Sequence, residues 1–272
     1  MSYNAFAEFY DGLTGNVEYK DRAEYIEKLI KSFGREAGTT LDLACGTGSL
    51  TLELYRRGFD IFGVDASIDM LSEAQQKCSE DEQILFICQK MQRLNLASEI
   101  DTCICTLDSI NHLTNPKDVK ETFKRVAKYL SKDGLFIFDV NTLYKHREVL
   151  CDNCFVFDTD EVFCSWQNEL DKETDIVNIT LDFFIPDENG LYFRETEEFS
   201  ERAYSDEDLT QWLDEAGLKV LAIYDDMSFD EPKTESERKI FVATTCWMLY
   251  SWGHNFEVKL MSNERLDKQN RD

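Results

Sequence analysis

The sequence predicts an α/β protein in which a parallel sheet, with helices on both faces, carries an inserted antiparallel β cap. Strand-like and helical segments alternate between residues 40 and 140, a pattern that builds parallel sheets. Four strand-like segments then follow one another without an intervening helix, which indicates antiparallel pairing. A glycine-containing turn at residues 41–48 joins the first strand to a helix.

The first half of the chain supplies the alternating elements. A helix is predicted over residues 21–33, because Ile26, Leu29 and Ile30 share one helical face. The periodicity beyond it predicts strands at 40–44, 61–65, 84–89, 102–106 and 135–140, with helices at 50–57, 68–78 and 119–130.

The second half supplies the cap and the end of the main sheet. Aromatic, strand-like segments lie at 155–158, 162–170, 176–185 and 192–202. A helix is predicted over 206–216 and ends at Gly217, a residue type that commonly terminates helices. Strands at 219–224 and 239–245 are expected to close the main sheet.

These elements divide the chain into a main domain, 1–140 and 203–245, and a cap, 141–202. The tail, 246–272, is apolar at its start and polar at its end. Docking on the sheet edge, contact within a homodimer and fraying all remain open for it.

Composition argues against several kinds of partner, although a local basic patch within an acidic average would still allow them. The net charge of −25 opposes binding to nucleic acid or to an anionic membrane, because phosphate contacts need a basic surface. No apolar run is long enough to span a membrane. The nine cysteines are expected to be reduced thiols in a cytoplasmic protein, because no signal-peptide pattern precedes them. Cys151 and Cys154 lack a second well-spaced pair, so no metal site is predicted.

The turn at residues 41–48 has the form of a nucleotide-binding loop. Gly46 and Gly48 allow a tight turn and a close ligand approach, and the first N–H groups of the helix then face the ligand. Asp65 ends the next strand, where a carboxylate can accept both ribose hydroxyls of an adenosine. A dinucleotide fingerprint would carry a small residue where this chain has Thr51, which disfavours that interpretation.

The spacing of four loop residues carries a family resemblance. Asp42, Ala44, Gly46 and Gly48 stand at every second position, and this resembles motif I of the class I S-adenosylmethionine-dependent methyltransferases, with Ala44 in place of the usual first glycine. The resemblance extends over residues 3–245 and implies a Rossmann-like sheet. It is nearest to small-molecule methyltransferases with a β cap after strand five, such as the glycine/sarcosine and amino-sugar N-methyltransferases.

The resemblance also covers the beginning of the chain. Uncharacterised bacterial methyltransferases begin with a similar segment, matched here by Tyr3, Phe6, Ala7, Tyr10 and Asp11. In those relatives the segment folds over the cofactor, so Tyr3 and Tyr10 are lid candidates. An amphipathic helix packed on the core is the alternative.

The resemblance implies S-adenosyl-L-methionine as the cofactor. The residues that it assigns to the cofactor are Tyr10, Asp42, Ala44, Cys45, Gly46, Gly48, Asp65, Ala66, Met70, Gln89, Met91 and Leu107. One position departs from the family: Lys90 stands where an acid usually bonds the adenine amino group, and lysine cannot accept that bond. Adenine is therefore expected to be held by the backbone around Gln89 and Met91, with Met91 packed on the ring.

Acceptor contacts are expected where strands four and five end, because ligands of open α/β sheets lie at the carboxyl ends of strands. Asp108 and His112 are the candidate bases, although Asp108 could instead cap a turn and His112 could be a surface residue. The other predicted substrate-binding residues are Asn111, Asn141, Trp166, Arg202 and Tyr204. The aromatic and acidic residues of the cap suit a cationic amine, although any half-buried sheet would contain the same residue types.

The predicted function is methyl transfer to a small molecule, with an amine nitrogen as one candidate acceptor. The Asp/Asn-Pro-Pro-Tyr and Pro-Cys motifs of nucleobase methylation are absent from the sequence. The alternatives are a non-catalytic S-adenosylmethionine-binding protein, an interaction protein whose cofactor site has decayed, as Lys90 hints, and a dinucleotide-dependent oxidoreductase.

Overall fold

A computed structural model describes residues 17–159 and 161–245. The main sheet has seven strands in the order β10-β11-β5-β4-β1-β2-β3, and a second, four-stranded sheet has the order β6-β7-β8-β9. The main strands are β1 (Thr39–Leu43), β2 (Asp60–Asp65), β3 (Phe86–Cys88), β4 (Ile100–Cys105), β5 (Leu130–Asn141), β10 (Leu218–Asp225) and β11 (Arg238–Thr245).

Among the described residues, one α-helix precedes β1 and four more lie between later strands. They are α1 (Tyr19–Ser32), α2 (Ser49–Arg56), α3 (Ile68–Lys77), α4 (Pro116–Tyr129) and α5 (Asp206–Glu215). The elements predicted from the sequence are present, and their bounds mostly differ by one to three residues. The fold class, an α/β sheet with an inserted antiparallel cap, is confirmed.

One feature of the main sheet differs from a wholly parallel arrangement. Strand β11 pairs antiparallel with both β5 and β10, whereas β1 through β5 pair parallel. The segment between β10 and β11 contains no helix, so the chain returns in the opposite direction. Pairing of β11 with β5 places Arg238 opposite Asn141, at the edge where the parallel strands end.

Helices pack on both faces of the main sheet. The side chains of β5 alternate between these two faces and contact both sets of helices. Phe136 and Phe138 pack with Phe123 of α4 in one cluster. Leu135 and Ile137 pack in the opposite cluster, which contains apolar residues of α1 and α2. Alternation along β5 therefore buries both faces.

The cap consists of β6 (Cys154–Asp158), β7 (Phe163–Asp171), β8 (Ile176–Pro186) and β9 (Tyr192–Arg202). Every second residue of β8 from Val177 to Phe183 is buried in the cap's own cluster. Met70 of α3 joins that cluster, which places the cap beside the end of β2. A π-helix, Lys145–Leu150, joins β5 to the cap; the sequence analysis did not predict it.

The domain boundaries and the two ends of the chain stay as the sequence predicts them. The domain boundaries at residues 140 and 203 remain predictions, as does any role of the tail, which lies outside the described residues together with Tyr3 and Tyr10. Within the described ranges, no helix combines the length and apolarity that crossing a membrane requires.

Candidate cofactor and acceptor site

A cavity of about 660 Å³ lies between the carboxyl ends of the main strands and the cap. Its walls come from the loops after β1, β2, β3, β4 and β5 and from cap strands β6 through β9. Eight of the predicted cofactor residues line it: Ala44, Gly46, Asp65, Ala66, Met70, Gln89, Met91 and Leu107. A pocket of this size and position suits a nucleoside-sized ligand and a smaller partner.

The loop after β1 is held in a strained turn. Ala44, Gly46 and Gly48 all have positive φ angles, which costs a non-glycine residue such as Ala44 free energy. A Cβ added to Gly46 would meet nothing within 4 Å, because this residue faces the open cavity. A Cβ on Gly48 would lie 2.7 Å from the Cβ of Ala74, so Gly48 serves close packing rather than lining the cavity.

Asp42 lies beneath this loop and does not line the large cavity. Its Oδ2 accepts a 2.6 Å hydrogen bond from Thr51 Oγ1, and both residues are buried. Burial raises the pKa of Asp42 to about 7, although the Thr51 bond acts in the opposite direction. Asp42, Cys45 and Ala44 do border a small adjoining recess. Thr51, which disfavoured a dinucleotide site, is thus the partner that fixes Asp42.

Asp65 connects two loops at the cavity wall. Its Oδ2 accepts from Gly46 N at 2.9 Å, and its Oδ1 accepts from Ser67 N at 2.8 Å. Burial raises the pKa of Asp65, while the backbone hydrogen bonds oppose that rise. Each carboxylate oxygen has a second lone pair, so both can still accept a hydroxyl from a ligand.

The loop after β3 forms the far wall of the cavity. The side chain of Gln89 is bound within its own loop, donating to Asn95 O and accepting from Asn95 N. Lys90 and Met91 line the cavity, and Met91 also packs against the main core. The Gln89 side chain is therefore engaged within its own loop, and the loop also presents Lys90, Met91 and Gln92 to the cavity.

The turn after β4 is organised by Asp139. Leu107 and Asp108 both have positive φ angles, and their N–H groups donate to Asp139 at 2.9 and 2.6 Å. Asp139 is fully buried and also accepts from Arg238 Nη1 at 2.7 Å and Arg22 Nη1 at 3.3 Å. These bonds compensate the strain of two non-glycine residues in the left-handed region.

Asp108 is paired in a way that opposes a role as a base. Arg238 Nη2 donates to its Oδ1 at 2.9 Å, and Asn141 Nδ2 donates to its Oδ2 at 2.8 Å. Burial alone would raise the pKa of Asp108, but Arg238, followed by Lys145 and His112, holds it well below its ordinary value. Asp108 is therefore ionised and neutralised near neutral pH, and it accepts a proton poorly.

Three predicted acceptor residues lie away from the cavity wall. Asn111 is fully buried and donates to Asn141 O and Arg202 O. Arg202 donates to Thr114 O, and the Tyr204 hydroxyl donates to Leu113 O. These contacts join the cap to the loop after β4, and a contact of Asn111, Arg202 or Tyr204 with the acceptor stays a prediction.

The end of the cavity beside the cap, which we call the acceptor end, contains three charged residues that were not predicted from the sequence. Glu201, Lys145 and Arg238 line it together with the predicted Asn141, His112 and Trp166. Glu201 and Arg202 are neighbours on β9 and so point to opposite faces. The period-two alternation of β9 was the signal that could have identified Glu201. No local pattern marks Arg238, because its partner Asp139 lies in a distant part of the sequence.

Glu201 has an uncommon environment for a buried carboxylate. Its side chain is 4% exposed, and His112 Nε2 and His146 Nε2 each lie 3.8 Å from one of its oxygens. Asn141 Nδ2 donates to its Oε2 at 3.0 Å. Among residues 17–159 and 161–245, no lysine or arginine forms an ion pair with it. Aromatic residues Phe155, Phe157, Trp166 and Phe199 form the neighbouring wall.

Comparisons with known proteins agree with this geometry. A family model described as a methyltransferase domain matches residues 40–134. A protein of Geobacillus sp. (strain WCH70), named as a methyltransferase, is 35% identical over 245 residues, which are 89% of this chain and 99% of that protein. A glycine/sarcosine N-methyltransferase of Aphanothece halophytica is 30% identical over 138 residues, about half of each chain (49% and 51%).

A solved structure extends the likeness to three dimensions. An S-adenosylmethionine-dependent methyltransferase from Clostridium acetobutylicum ATCC 824 is 36% identical, with a TM-score of 0.81, over 89% of this chain and 98% of that one. The family, the enzyme class and the cofactor inferred from the loop of residues 41–48 are thereby confirmed. The chain belongs to the S-adenosylmethionine-dependent methyltransferase family.

Proposed function

We propose that this methyltransferase acts on a primary or secondary amine nitrogen of a small molecule, bound between the cap and the ends of β4 and β5. The observation that carries the proposal is Glu201, a buried carboxylate that faces the cavity without a lysine or arginine partner in the described parts of the chain. A buried anion without a cation is costly, and a protonated amine would supply the missing charge.

The cofactor half of the cavity is proposed to follow the family pattern. Asp65 would accept the ribose hydroxyls, and Gly46 would leave room for the cofactor because a Cβ there points into open space. Met70 and Met91 offer apolar contact for adenine, next to the backbone of Gln89. S-adenosylmethionine, when bound, supplies an electrophilic methyl group. The chain's own task is then to orient the acceptor and exclude water.

The cap wall supports an amine over an uncharged acceptor. Trp166 and Phe199 form an aromatic surface beside Glu201, and aromatic faces attract cations. The Trp166 ring is held by a 2.9 Å hydrogen bond from its Nε1 to Asn168 Oδ1. The Aphanothece relative is named for action on glycine and sarcosine, both of which are amines, and this agrees with the proposal.

The experiment uses S-adenosylmethionine with a radiolabelled methyl group and four acceptor pools: a low-molecular-weight metabolite extract, DNA, RNA and protein. A second portion of the extract is acetylated beforehand, which blocks primary and secondary amines. We expect label to enter the untreated extract and to fall to background in the acetylated one. Equal labelling of both extracts would exclude the amine, and labelling of a macromolecular pool alone would exclude the small molecule.

The same assay addresses a non-catalytic binding protein. S-adenosylhomocysteine should bind in either case and raise the melting temperature, because it binds the native state. Binding without label transfer to any of the four pools would contradict the proposed function.

A further inference from the structure

We propose that Glu201 and His112 form an acceptor subsite in which Glu201 binds the ammonium form of a basic alkylamine and His112 Nε2 removes its proton. This inference rests on the proposed function. It adds a substrate class, because an amine that needs such a pair must be protonated at neutral pH, as alkylamines with pKa values of about 10 are.

The first support is the gap between the two side chains. His112 Nε2 and Glu201 Oε1 are 3.8 Å apart, which is too long for a hydrogen bond between them. Two atoms at this separation can each lie about 2.9 Å from a third polar atom placed between them. Both residues line the cavity, so a nitrogen can reach that position from the acceptor side.

The second support is the way in which Glu201 is held. His146 is fully buried, and its Nδ1 lies 3.2 Å from Asp175 O. Because a carbonyl oxygen only accepts, Nδ1 carries the hydrogen and Nε2 faces Glu201 Oε2 across 3.8 Å. Among the buried side-chain nitrogen and oxygen atoms of the described residues, only this Nε2 has no hydrogen-bond partner. Asn141 holds Oε2 of Glu201 by a hydrogen bond, and Oε1 is left toward the cavity.

The third support is the position of His112 between the cavity and solvent. Its side chain is 37% exposed, and its ring packs 5.3 Å from that of Phe199. The negative charges near it are Glu201 on β9, Asp108 after β4 and Asp65 after β2. Arg238 and Lys145 lie beyond Asp108 and favour its ionised form. His112 thus lies beside Glu201, within electrostatic reach of two further carboxylates, and its ring is partly open to water.

The proposed step is a proton transfer. One N–H bond of the ammonium breaks, and its electron pair stays on the nitrogen as the lone pair that methyl transfer requires. The proton forms a new bond with His112 Nε2, which gives an imidazolium with hydrogen on both nitrogens. The exposed edge of the ring then releases a proton to solvent.

The test compares initial rates of labelled transfer into the untreated metabolite extract between about pH 6.5 and about pH 9.5, a window that approaches the titration of alkylamines. The variants are His112→Gln and Glu201→Gln. Glu198→Gln is the matched control, because Glu198 lies on the same strand but is exposed. Calorimetric titration with S-adenosylhomocysteine shows that each variant is folded and binds cofactor.

For His112→Gln we expect a loss of about 100-fold in rate near neutral pH, the lower end of general-base effects. The loss should shrink as the pH rises, because more of the amine arrives already neutral. Imidazole added to His112→Ala should restore part of the activity. For Glu201→Gln we expect the amount of extract that gives half the maximal rate, the apparent KM for the acceptor, to rise by about ten-fold or more, the scale of a charged hydrogen bond. The maximal rate should change less.

Two results would separate failure of the pair from failure of the function. Label in the acetylated extract at the untreated level would reject the proposed function and the pair together. Transfer that needs free amines, but with wild-type pH profiles in His112→Gln and a wild-type KM in Glu201→Gln, would keep the function and overturn the pair.

Discussion

At the residue scale, the site depends on carboxylates with different partners. Asp65 receives two backbone N–H groups and faces the cavity, Asp139 receives two more and faces arginines, and Glu201 faces two histidines. The environment of each carboxylate, and not its residue type, determines what it can do. Asp65 and Asp108 stood out in the sequence because each follows a strand. Glu201 did not, because its importance comes from contacts across the cavity.

Asp65→Ala should weaken binding of S-adenosylhomocysteine by about ten-fold or more, because hydrogen bonds to a charged group are lost. Isothermal titration measures the affinity directly. Asp60→Ala is a suitable control, since Asp60 begins the same strand and is exposed. Equal affinities of wild type and Asp65→Ala would remove Asp65 from the cofactor site.

Asp42 predicts a pH dependence of stability. Burial raises its folded-state pKa from 3.8 to about 7, so between these values the folded state holds a proton that the unfolded state has released. Stability from this group is therefore lost as the pH rises through that window. Asp42→Asn retains an oxygen for Thr51 and cannot ionise. The free energy of unfolding of Asp42→Asn minus that of the wild type should therefore increase as the pH rises from about 5 to about 7.5. Urea denaturation at each pH measures this difference. A constant difference would show that Asp42 does not titrate in this window.

At the scale of elements, periodicity predicted the strands and helices well but not the direction of every side chain. The alternation along β8 and β5 was readable because apolar and polar positions differ. In β9 both Glu201 and Arg202 are charged, so only the alternation with the apolar Phe199 two residues earlier indicates that Glu201 faces inward. The π-helix after β5 was also missed, because its six residues are too few for a helical pattern to be recognised.

The cap and the cofactor loop should be separable by mutation. Trp166→Ala removes an aromatic wall of the acceptor end, while Asp65 ends β2 and Gly46 lies in the loop after β1. We expect transfer to the metabolite extract to fall by about ten-fold, the scale of a lost cation–π contact together with lost packing. Affinity for S-adenosylhomocysteine should stay near that of wild type. A parallel loss of both would indicate that the cap forms part of the cofactor site.

At the scale of the whole molecule, local sequence predicted the fold and most of the cofactor end, but only part of the acceptor end: His112, Asn141 and Trp166 were expected there, and Glu201, Lys145 and Arg238 were not. The cofactor loop lies within one βαβ unit, so spacing alone brings Gly46 and Asp65 together. The acceptor end joins Arg238, Asn141, His112 and Glu201 from four separate segments. Their meeting depends on the antiparallel return of β11 and on the packing of the cap, which no local pattern specifies.

The position of the transferred methyl group in the product tests the proposed amine acceptor directly. S-adenosylmethionine with a trideuterated methyl group is incubated with the wild-type protein and the metabolite extract, and the deuterated products are fragmented by mass spectrometry. We predict that the deuterated methyl group is bonded to nitrogen in a molecule that carried a free alkylamine. A deuterated methyl group on oxygen, sulfur or carbon would contradict the account.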